Sequence, residues 1–401
     1  MLIYLSQLMR IAIITAGTPS DKKGAFNATH ERIKHLALKG IRADVFIIRY
    51  YESKLIQILR KKQHRKEMKE DFFIYDNIKY NNLWIPFTIS DYLQVHKFNQ
   101  LGSVFIRFAK KWSKLFTGYE IISAHSIEPA IVATLAKEQF GIPFAVTWHG
   151  SDIHSLPKIN NTIKTMTIKI CRNASLVFFV SKQLQIDGTN LVPDIANTDV
   201  LYNAVDRDQF KPYPAEKKEH LKRLNKIDGN YNIGFIGGLV PVKNSQILPE
   251  IFKIIADNVE NAKFYFVGDG KLRSAIAEKC REFALDVVFM GNRLHEEMPD
   301  LINCFDLVVL PSINEGMPLI VLECLSCQVP IVTSRVGGIP EVLSDEYTVI
   351  HGPGFVERYA GVAINVLRNP DRRLVELPPI FSWENTAAKE AAMYKKILNE
   401  N

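Results

Sequence analysis

Two glutamates stand eight residues apart in the segment PSINEGMPLIVLE, residues 311–323. Pro318 lies between them and suits the first turn of a helix, because the amide hydrogen that proline lacks is unused there. Glu315 is therefore predicted in the loop before the helix and Glu323 inside it. At ~1.5 Å per residue the carboxylates are up to ~12 Å apart, which is too far for the ~5–5.5 Å pair of a double displacement. The spacing suits two anchors on one extended ligand, and equally two solvated glutamates on a surface helix.

A second segment has the residue types of an anion site. In GFIGGLVPVKNSQ, residues 234–246, a strand is predicted to end at Gly237–Gly238, and Lys243 precedes a helix. Glycines allow close approach of the backbone, and a lysine beside a helix N-terminus favours phosphate. The P-loop pattern is absent, so this segment alone is a weak indication. The helix after Pro318 offers further unused amides, those of Gly316, Met317 and Leu319.

A histidine follows another predicted strand in TWHGSDIH, residues 147–154. The imidazole of His149 is predicted to point into a cleft as a hydrogen-bond donor or proton carrier. Asp152 and His154 stand near it in the sequence, and these residue types can bind a metal ion. Neither H-E-x-x-H nor a Cys/His quartet accompanies them, and we therefore expect no metal.

Short apolar runs separated by helical stretches have to position these residues. Such runs are typical of parallel sheets covered by helices on both faces. In doubly wound sheets ligands bind at the carboxyl ends of the strands, so two such sheets would offer a cleft. The predicted class is α/β with two doubly wound, Rossmann-like domains facing across a cleft. The predicted parts are a first domain (1–204), a linker (205–230), a second domain (231–380) and a C-terminal helix (381–401).

The composition narrows the class of protein. Among 401 residues 47% are apolar and 23% charged, which excludes general disorder. Five cysteines are too few and too irregular for a disulfide framework, and no apolar run approaches the ~18 residues that span a bilayer. Residues 1–8 lack the basic start of a secretory signal, and the first strand pattern begins at Met9. We expect a reduced, cytoplasmic protein.

The net charge of +7 is unevenly distributed, with +11 in residues 1–200 and −4 in residues 201–401. Seven Lys or Arg stand in 53–70, and five stand in 97–114 among aromatic and aliphatic residues. The second stretch is typical of a basic amphipathic helix, which suits an anionic membrane surface and equally a solvated face over a core. Nucleic acid is not expected as a partner, since no known binding module accompanies the charge.

Together the motifs resemble those of the retaining glycosyltransferases of family 4, which have the GT-B fold of two Rossmann-like domains. The matching segments follow the family's order through nearly the whole chain, and the E-x7-E block with GG-L-x-P-x-K is specific. They are AGTPSDKKGAFNATHERIKHLALKG (16–40), SAHS (123–126), WHGSD (148–152), LYNAVDRDQF (201–210), FIGGLVPVKN (235–244), FVGDG (266–270), FMGN (289–292), PSINEGMPLIVLE (311–323), VGGIPEV (336–342) and FSW (381–383).

The resemblance implies a metal-independent enzyme that moves a sugar from a UDP- or GDP-sugar to a glycan or lipid-linked glycan, in bacterial cell-surface polysaccharide synthesis. With the basic stretches, it implies a cytoplasmic protein at the inner face of the membrane. It also implies that the domain 1–204 binds the acceptor, that the domain 231–380 binds the donor, and that the helix at 381–401 packs back on the first domain. Glu323 resembles the residue that holds the ribose, and Lys243 the residue on the diphosphate. The implied catalytic residues are His149, Lys243 and Glu315. The implied donor-binding residues are Gly24, Gly237, Gly238, Lys243, Gly268, Arg293, Glu315, Gly316, Met317, Pro318, Leu319 and Glu323, and the implied acceptor-side residues are His125 and Asp152.

One position departs from the family. Gly238 stands where an arginine usually shares the diphosphate charge with the lysine. Loss of such a contact can cost ~2.7–4 kcal/mol of transition-state stabilisation. We expect Lys243, the amide at Gly24, and Lys22 or Lys23 to compensate.

The implied mechanism is front-face attack, in which the acceptor hydroxyl approaches beside the departing diphosphate. A leaving phosphate oxygen can take the acceptor proton, so no dedicated base is needed, and His149 as a general base is the rival mechanism. Two other functions stay open. One is a sugar-nucleotide epimerase of similar fold, and the other is a catalytically degenerate homologue that binds sugar nucleotides.

Overall fold

The computed structural model describes residues 9–17, 24–52, 70–96, 103–369 and 376–400. Two compact units emerge. One holds the chain up to Tyr202 together with the last helix, and the other holds Asn203–Ser382. Several predictions lie outside the described residues, namely those on residues 1–8, on Lys22 and Lys23, on nearly all of 53–70 and on the start of 97–114.

The first unit is built on one sheet, whose strand order is β3-β4-β2-β1-β5-β6-β7-β8. Its strands are β1 (Arg10–Ala16), β2 (Arg42–Glu52), β3 (Phe72–Tyr75), β4 (Ile78–Phe87), β5 (Ile121–His125), β6 (Phe144–Trp148), β7 (Leu176–Phe179) and β8 (Thr198–Val200). Its helices up to Tyr202 are α1 (Gly24–Leu38), α2 (Ile89–His96), α3 (Ser103–Trp112), α4 (Ile127–Phe140), α5 (Ser151–His154), α6 (Leu156–Ile159), α7 (Asn161–Asn173) and α8 (Lys182–Leu191), with a 3-10 turn at Ser113–Phe116.

One edge of this sheet is antiparallel, which differs from the predicted parallel arrangement. β3 pairs antiparallel with β4, whereas the other strand pairs are parallel. Asp76 and Asn77 form the two-residue turn between them, with φ of 47° and 60°. Positive φ at both positions is the geometry of a tight hairpin turn, and Asn and Asp tolerate it. A local hairpin therefore caps the edge.

The second unit has a sheet of order β11-β10-β9-β12-β13-β14, in which the described pairs are parallel. Its strands are β9 (Tyr231–Ile236), β10 (Ala262–Val267), β11 (Val287–Gly291), β12 (Leu307–Leu310), β13 (Ile331–Ser334) and β14 (Thr348–Val349). Its helices are α9 (Ala215–Asn225), α10 (Leu248–Asn258), α11 (Arg273–Glu282), α12 (Met298–Ile302), α13 (Leu319–Ser326) and α14 (Phe355–Arg368), with 3-10 turns at Pro241–Lys243, Ser245–Ile247, His295–Glu297, Ile339–Glu341, Asp345–Tyr347 and Pro379–Phe381.

The stretch 205–230, predicted as a linker, is part of the second unit. The polar residues of α9 face solvent, but Leu221 and Phe210 are buried. The amide of Tyr213 donates to Asn303 Oδ1 at 2.9 Å. A few apolar anchors in a charged sequence therefore suffice to dock this stretch.

The last helix, α15 (Trp383–Glu400), belongs to the first unit and packs against α1. Ala387, Ala391 and Tyr394 contribute to the core under β1, β2 and β5. Small residues on this face allow the two helices to approach closely. Thr29 of α1 lies 3.1 Å from His125 Nδ1, so α15 packs against the helix that contacts one of the predicted histidines.

Candidate functional site

Lys243 and Glu315 meet in an ion pair in the second unit. Lys243 ends the turn after β9, and Glu315 stands in the loop between β12 and α13. Lys243 Nζ lies 2.6 Å from Glu315 Oε1, and the Ser312 hydroxyl donates to the same oxygen at 2.6 Å. The Glu315 side chain is only 10% exposed. The structure thus brings together two of the predicted catalytic residues.

A tight backbone contact supports the loop that carries Glu315. Gly337 has φ of 55°, and a Cβ there would lie 1.9 Å from Glu315 O. The amide of Gly338 donates to Gly316 O at 2.7 Å. Glycine is therefore required at 337 by both conformation and space.

The start of α13 offers donors beside this pair. Pro318 directly precedes the first helical residue, Leu319, rather than lying in the first turn as predicted. Asn203 Nδ2 donates to Met317 O at 2.8 Å and fixes the approach to the helix. Within the described residues, the amides of residues 316, 317 and 319 have no acceptor, so they can meet an anion or a hydroxyl.

Glu323 lies inside α13, as the sequence predicts, and is buried with 5% exposure. His295 Nε2 lies 2.8 Å from Glu323 Oε1, and the His295 ring packs against that of Phe210 with 5.4 Å between centroids. A buried carboxylate requires a donor, and His295 fills that need. Sequence reasoning missed His295, because no spacing rule links positions 28 apart.

The glycines predicted to bind the donor differ in whether the fold requires glycine at their positions. Gly268 has φ of 132°, and a Cβ there would lie 2.0 Å from Gly237 O. The two loops are thus in backbone contact. At Gly238 a Cβ would come no closer than 3.6 Å to Val240 Cγ2, so the fold does not require glycine there. At Gly24, the first residue of α1, a Cβ would meet nothing within 4 Å among the residues that the structure describes.

Arg293 follows β11, and the carboxylate of Glu297 binds its guanidinium. One of its terminal nitrogens donates to Glu297 Oε1 at 3.2 Å, and the other oxygen of that carboxylate accepts from the Leu294 amide at 2.6 Å. Arg293 Nε is buried without a partner among the described residues. The contact of this segment with a nucleotide base stays a prediction.

In the first unit, two histidines meet at neighbouring strand ends. His125 is the last residue of β5, and His149 follows β6. His125 Nδ1 lies 3.3 Å from His149 Nε2 and 3.1 Å from the Thr29 hydroxyl oxygen. The two rings stack with centroids 5.5 Å apart. The predicted catalytic histidine and the predicted acceptor-side histidine are therefore one cluster.

Burial keeps both imidazoles neutral. Burial and the positive charge of Arg32 lower the pKa of His149 to about 3. The pKa of His125 also lies well below its usual value, because of burial, Arg32 and the neighbouring His149. His149 Nδ1 is buried and has no hydrogen-bond partner among the described residues.

Asp152 lies on the short helix α5, three residues after His149. Burial and the charge of Glu128 raise the pKa of its carboxyl to about 7, although amides of Ile127, His149 and Asp152 itself donate to it and oppose that rise. A carboxyl of this kind changes its protonation near neutral pH. Asp152 thus lies close to His149, and its predicted role on the acceptor side stays a prediction.

A buried ion pair joins α1 and α15 in the first unit. Arg32 of α1 forms two hydrogen bonds with Glu390 of α15, at 2.7 and 2.9 Å. Both side chains are at most 2% exposed. The Arg32 guanidinium also lies 3.2 Å from the Thr147 hydroxyl, to which it donates. The Tyr394 hydroxyl lies 2.5 Å from Glu390 Oε1.

Among the described residues, no group of three His, Cys, Asp or Glu side chains is arranged to hold a metal ion. In the same residues, no helix is both long and apolar enough to cross a membrane.

Two family models match the chain. The model described as Glycosyltransferase Family 4 matches residues 23–209, and the one described as Glycosyl transferases group 1 matches residues 230–369. The chain belongs to the glycosyltransferases of family 4. The resemblance predicted from the motifs is confirmed, and so is the prediction of a transferase enzyme.

This glycosyltransferase has relatives with assigned roles. It is 26% identical over 353 residues to a putative teichuronic acid biosynthesis glycosyltransferase of Bacillus subtilis, covering 86% of each chain. It is 26% identical to an Escherichia coli enzyme named UDP-Gal:alpha-D-GlcNAc-diphosphoundecaprenol alpha-1,3-galactosyltransferase, over 57% of this chain and 61% of the relative. The first of these names refers to the synthesis of teichuronic acid, and the second to the transfer of galactose to a diphosphoundecaprenol-linked sugar.

Solved structures confirm the fold of the glycosyltransferase. Sucrose-phosphate synthase from Thermosynechococcus elongatus superposes with a TM-score of 0.74 at 17% identity, covering 98% of this chain and 100% of that one. Anabaena HepE in complex with UDP and glucose superposes with a TM-score of 0.69 at 17% identity, covering 97% and 100%. The predicted class, two doubly wound α/β domains of the GT-B type, is therefore correct.

Proposed function

We propose that this glycosyltransferase moves a sugar, with retention of configuration, from a UDP- or GDP-sugar to a glycan or lipid-linked glycan during synthesis of a bacterial cell-surface polysaccharide. The contact between Lys243 and Glu315 carries the proposal, because it places a cation and a carboxylate side by side at the carboxyl ends of parallel strands. That is where such sheets bind ligands. The UDP complexes of HepE and the names of the two relatives support a nucleotide-sugar donor and a glycan product.

Each end of the donor has a matching group in the second unit. Glu323 suits the two ribose hydroxyls, since a carboxylate accepts from both, and His295 holds it in place. Lys243 suits the diphosphate, and on donor binding its ammonium would exchange Glu315 for phosphate oxygens. Glu315 and the amides at the start of α13 are then left for the hydroxyls of the transferred sugar.

The chemical step is front-face substitution. The bond from the anomeric carbon to the diphosphate oxygen breaks while the acceptor oxygen forms a bond to the same face of that carbon. The acceptor proton goes to the leaving phosphate oxygen. The protein contributes position and charge stabilisation, with Lys243 offsetting the charge that develops on the diphosphate. We expect no divalent metal, because protein cations supply that charge.

The first prediction concerns donor choice. A UDP- or GDP-sugar is expected to raise the melting temperature, since a ligand that binds only the folded state stabilises it by mass action. Nucleoside diphosphate should be released only when an acceptor glycan is added, whereas an epimerase would convert the sugar nucleotide into its epimer without an acceptor and without net release of nucleoside diphosphate. Thermal shift with UDP-, GDP- and ADP-sugars measures the first effect. Stabilisation without transfer to any acceptor would favour the degenerate homologue, and stabilisation by none of the sugar nucleotides would contradict the proposed donor.

We also propose that the first unit docks at an anionic membrane. Phe108 lies in the segment 97–114, and Phe116 lies just after it. Both are buried, so the apolar face of α3 covers the core. The outer face remains strongly basic, and it carries two exposed aliphatic residues, Ile106 and Leu115. The exposed lysines beside them are Lys110, Lys111 and Lys114. This basic face suits anionic headgroups.

The second prediction tests that face. Changing Lys110 and Lys114 to Glu is expected to reduce co-sedimentation with phosphatidylglycerol vesicles several-fold at low salt, because each basic residue near the surface contributes about 1 kcal/mol. The matched control changes Lys211 and Lys271, exposed lysines of the second unit, and should bind as the unchanged protein does. Equal binding of the unchanged protein to neutral and anionic vesicles would refute membrane docking.

A further inference from the structure

The first residues of the second unit, 203–213, contact α13 at its last residue and just before its first. Asn203 Nδ2 donates to Met317 O, two residues before the helix begins, at 2.8 Å. The hydroxyl of Ser326, the last helical residue, donates to Phe210 O at 2.5 Å. This segment therefore fixes the position of the helix that carries the predicted ribose carboxylate.

The side chain of Phe210 contacts the residue that binds Glu323. Phe210 is 2% exposed, and its ring packs against the His295 ring with 5.4 Å between the centroids and 41° between the planes. His295 stands on the 3-10 turn after β11, and its Nε2 lies 2.8 Å from Glu323 Oε1. The exposed fractions of the His295 and Glu323 side chains are 19% and 6%. Phe210 thus reaches α13 by two routes, through its carbonyl at Ser326 and through His295 at Glu323.

His295 holds one oxygen of the Glu323 carboxylate. An ionised carboxylate only accepts hydrogen bonds, so His295 Nε2 is the donor in this contact. Glu323 Oε2 has no hydrogen bond within the described part of the chain. A carboxylate offers about four lone-pair sites, so most of them remain for hydroxyl donors of a ligand.

We propose that His295 and Phe210 are positioning residues for the ribose of the donor. His295 fixes the plane of the Glu323 carboxylate, and Phe210 fixes the plane of the His295 ring. The ligand class is a ribonucleoside diphosphate, whose 2′ and 3′ hydroxyls donate to Glu323. A glutamate side chain loses rotamer freedom when it is ordered, and ordering it before the ligand binds removes that cost from binding. The inference rests on the proposed function, which supplies the nucleotide.

Two roles of His295 have different consequences for binding. A residue that only satisfies a buried carboxylate stabilises the folded protein, and its loss weakens the binding of every nucleotide alike. A residue that orients the carboxylate acts only on ligands whose hydroxyls reach it. The ratio of the affinities for a ribonucleotide and its 2′-deoxy analogue therefore reports positioning and cancels a general effect on the fold.

The third prediction is measured by calorimetric titration of the whole chain. The probes are UDP and 2′-deoxy-UDP, or GDP and 2′-deoxy-GDP where GDP is the nucleotide that raises the melting temperature. The unchanged protein should prefer the ribonucleotide about tenfold or more, as expected for one hydrogen bond to a charged group. In His295→Ala that ratio should fall below about threefold, because the carboxylate is no longer held in one plane. The affinity for the deoxy analogue should stay the same.

Further variants separate positioning from folding. His295→Gln places a donor nitrogen near the position of Nε2 and should restore the preference. His295→Asn has a shorter side chain and should not, and this pair of variants keeps the test valid where His295→Ala does not fold. His220→Ala removes an exposed histidine of α9 and should change neither affinity. Phe210→Leu should lower the ratio through His295, so adding it to His295→Ala should have no further effect on the ratio.

The inference fails if His295→Ala keeps the preference, if it weakens both nucleotides alike, or if the effects of Phe210→Leu and His295→Ala on the ratio add. In each of these cases the unchanged protein still binds its nucleotide, so the proposed function stands. An unchanged protein that binds the nucleotide without any preference would likewise overturn the inference alone. An unchanged protein that binds neither UDP nor GDP would contradict the proposed donor, and the inference with it.

Discussion

Replacing Lys243 by methionine is expected to lower the rate of sugar transfer by roughly 10²–10³-fold, the loss typical when one preorganised group for a developing charge is removed. Two features make the loss large. Gly238 supplies no second cation, and Lys243 already lies against the loop that holds Glu315. The measurement is initial rate with saturating donor, together with affinity for the nucleoside diphosphate.

Two further variants separate an effect of Lys243 on catalysis from a general effect on stability. Lys253→Met removes an exposed lysine of α10 that pairs with Asp257, and it should leave transfer unchanged. Glu315→Gln keeps the contact with Ser312 and loses the carboxylate, so it should weaken binding of the donor sugar more than binding of the nucleoside diphosphate. A Lys243→Met protein that melts normally and transfers within a few-fold of the original rate would remove Lys243 from leaving-group stabilisation.

Gly238 stands where the family usually has an arginine, so the diphosphate lacks one cation at this position. A Cβ fits at Gly238, since its nearest neighbour, Val240 Cγ2, would lie 3.6 Å away. The space around this Cβ position therefore does not require glycine. Either other groups carry the diphosphate charge or the reaction proceeds with less stabilisation. The segment holding Lys22 and Lys23 lies outside the described residues, so their compensation stays a prediction.

Local patterns in the sequence predicted the parts of the site that depend on local geometry. Glu315 in a loop and Glu323 within a helix follow from one proline and an apolar run. The end of β6 before His149 follows from a short apolar strand. In each case the residue and the element that positions it are neighbours in the chain, so periodicity and turn chemistry are sufficient.

Partners distant in the sequence were not predictable in the same way. Arg32 and Glu390 are 358 positions apart, and on its own each looks like an ordinary charge on an amphipathic helix. The same holds for His295 with Glu323. The edge hairpin was missed for another reason, because Asn81 and Asn82 interrupt the apolar run of β4. Their side-chain nitrogens donate to carbonyls of Val45 and Glu70, while the buried Asn82 Oδ1 has no partner among the described residues.

Arg32→Met is expected to lower the free energy of unfolding of the first unit by about 3–5 kcal/mol, because it leaves the Glu390 carboxylate buried without its counter-charge. Both side chains are at most 2% exposed, so water cannot replace the guanidinium. The double variant Arg32→Met and Glu390→Met should recover most of that loss. Removing both charges abolishes the desolvation cost together with the attraction.

Urea unfolding followed by a probe in the first unit measures these differences. Arg172→Met is the matched control, since Arg172 also forms two hydrogen bonds with a carboxylate, that of Asp194, but at more than half exposure. Solvent screening makes such a pair weak, so no loss of stability is expected there. A double variant as unstable as Arg32→Met would mean that Tyr394 and Thr147 depend on the charges themselves. In that case the ion pair itself contributes net stability to the first unit.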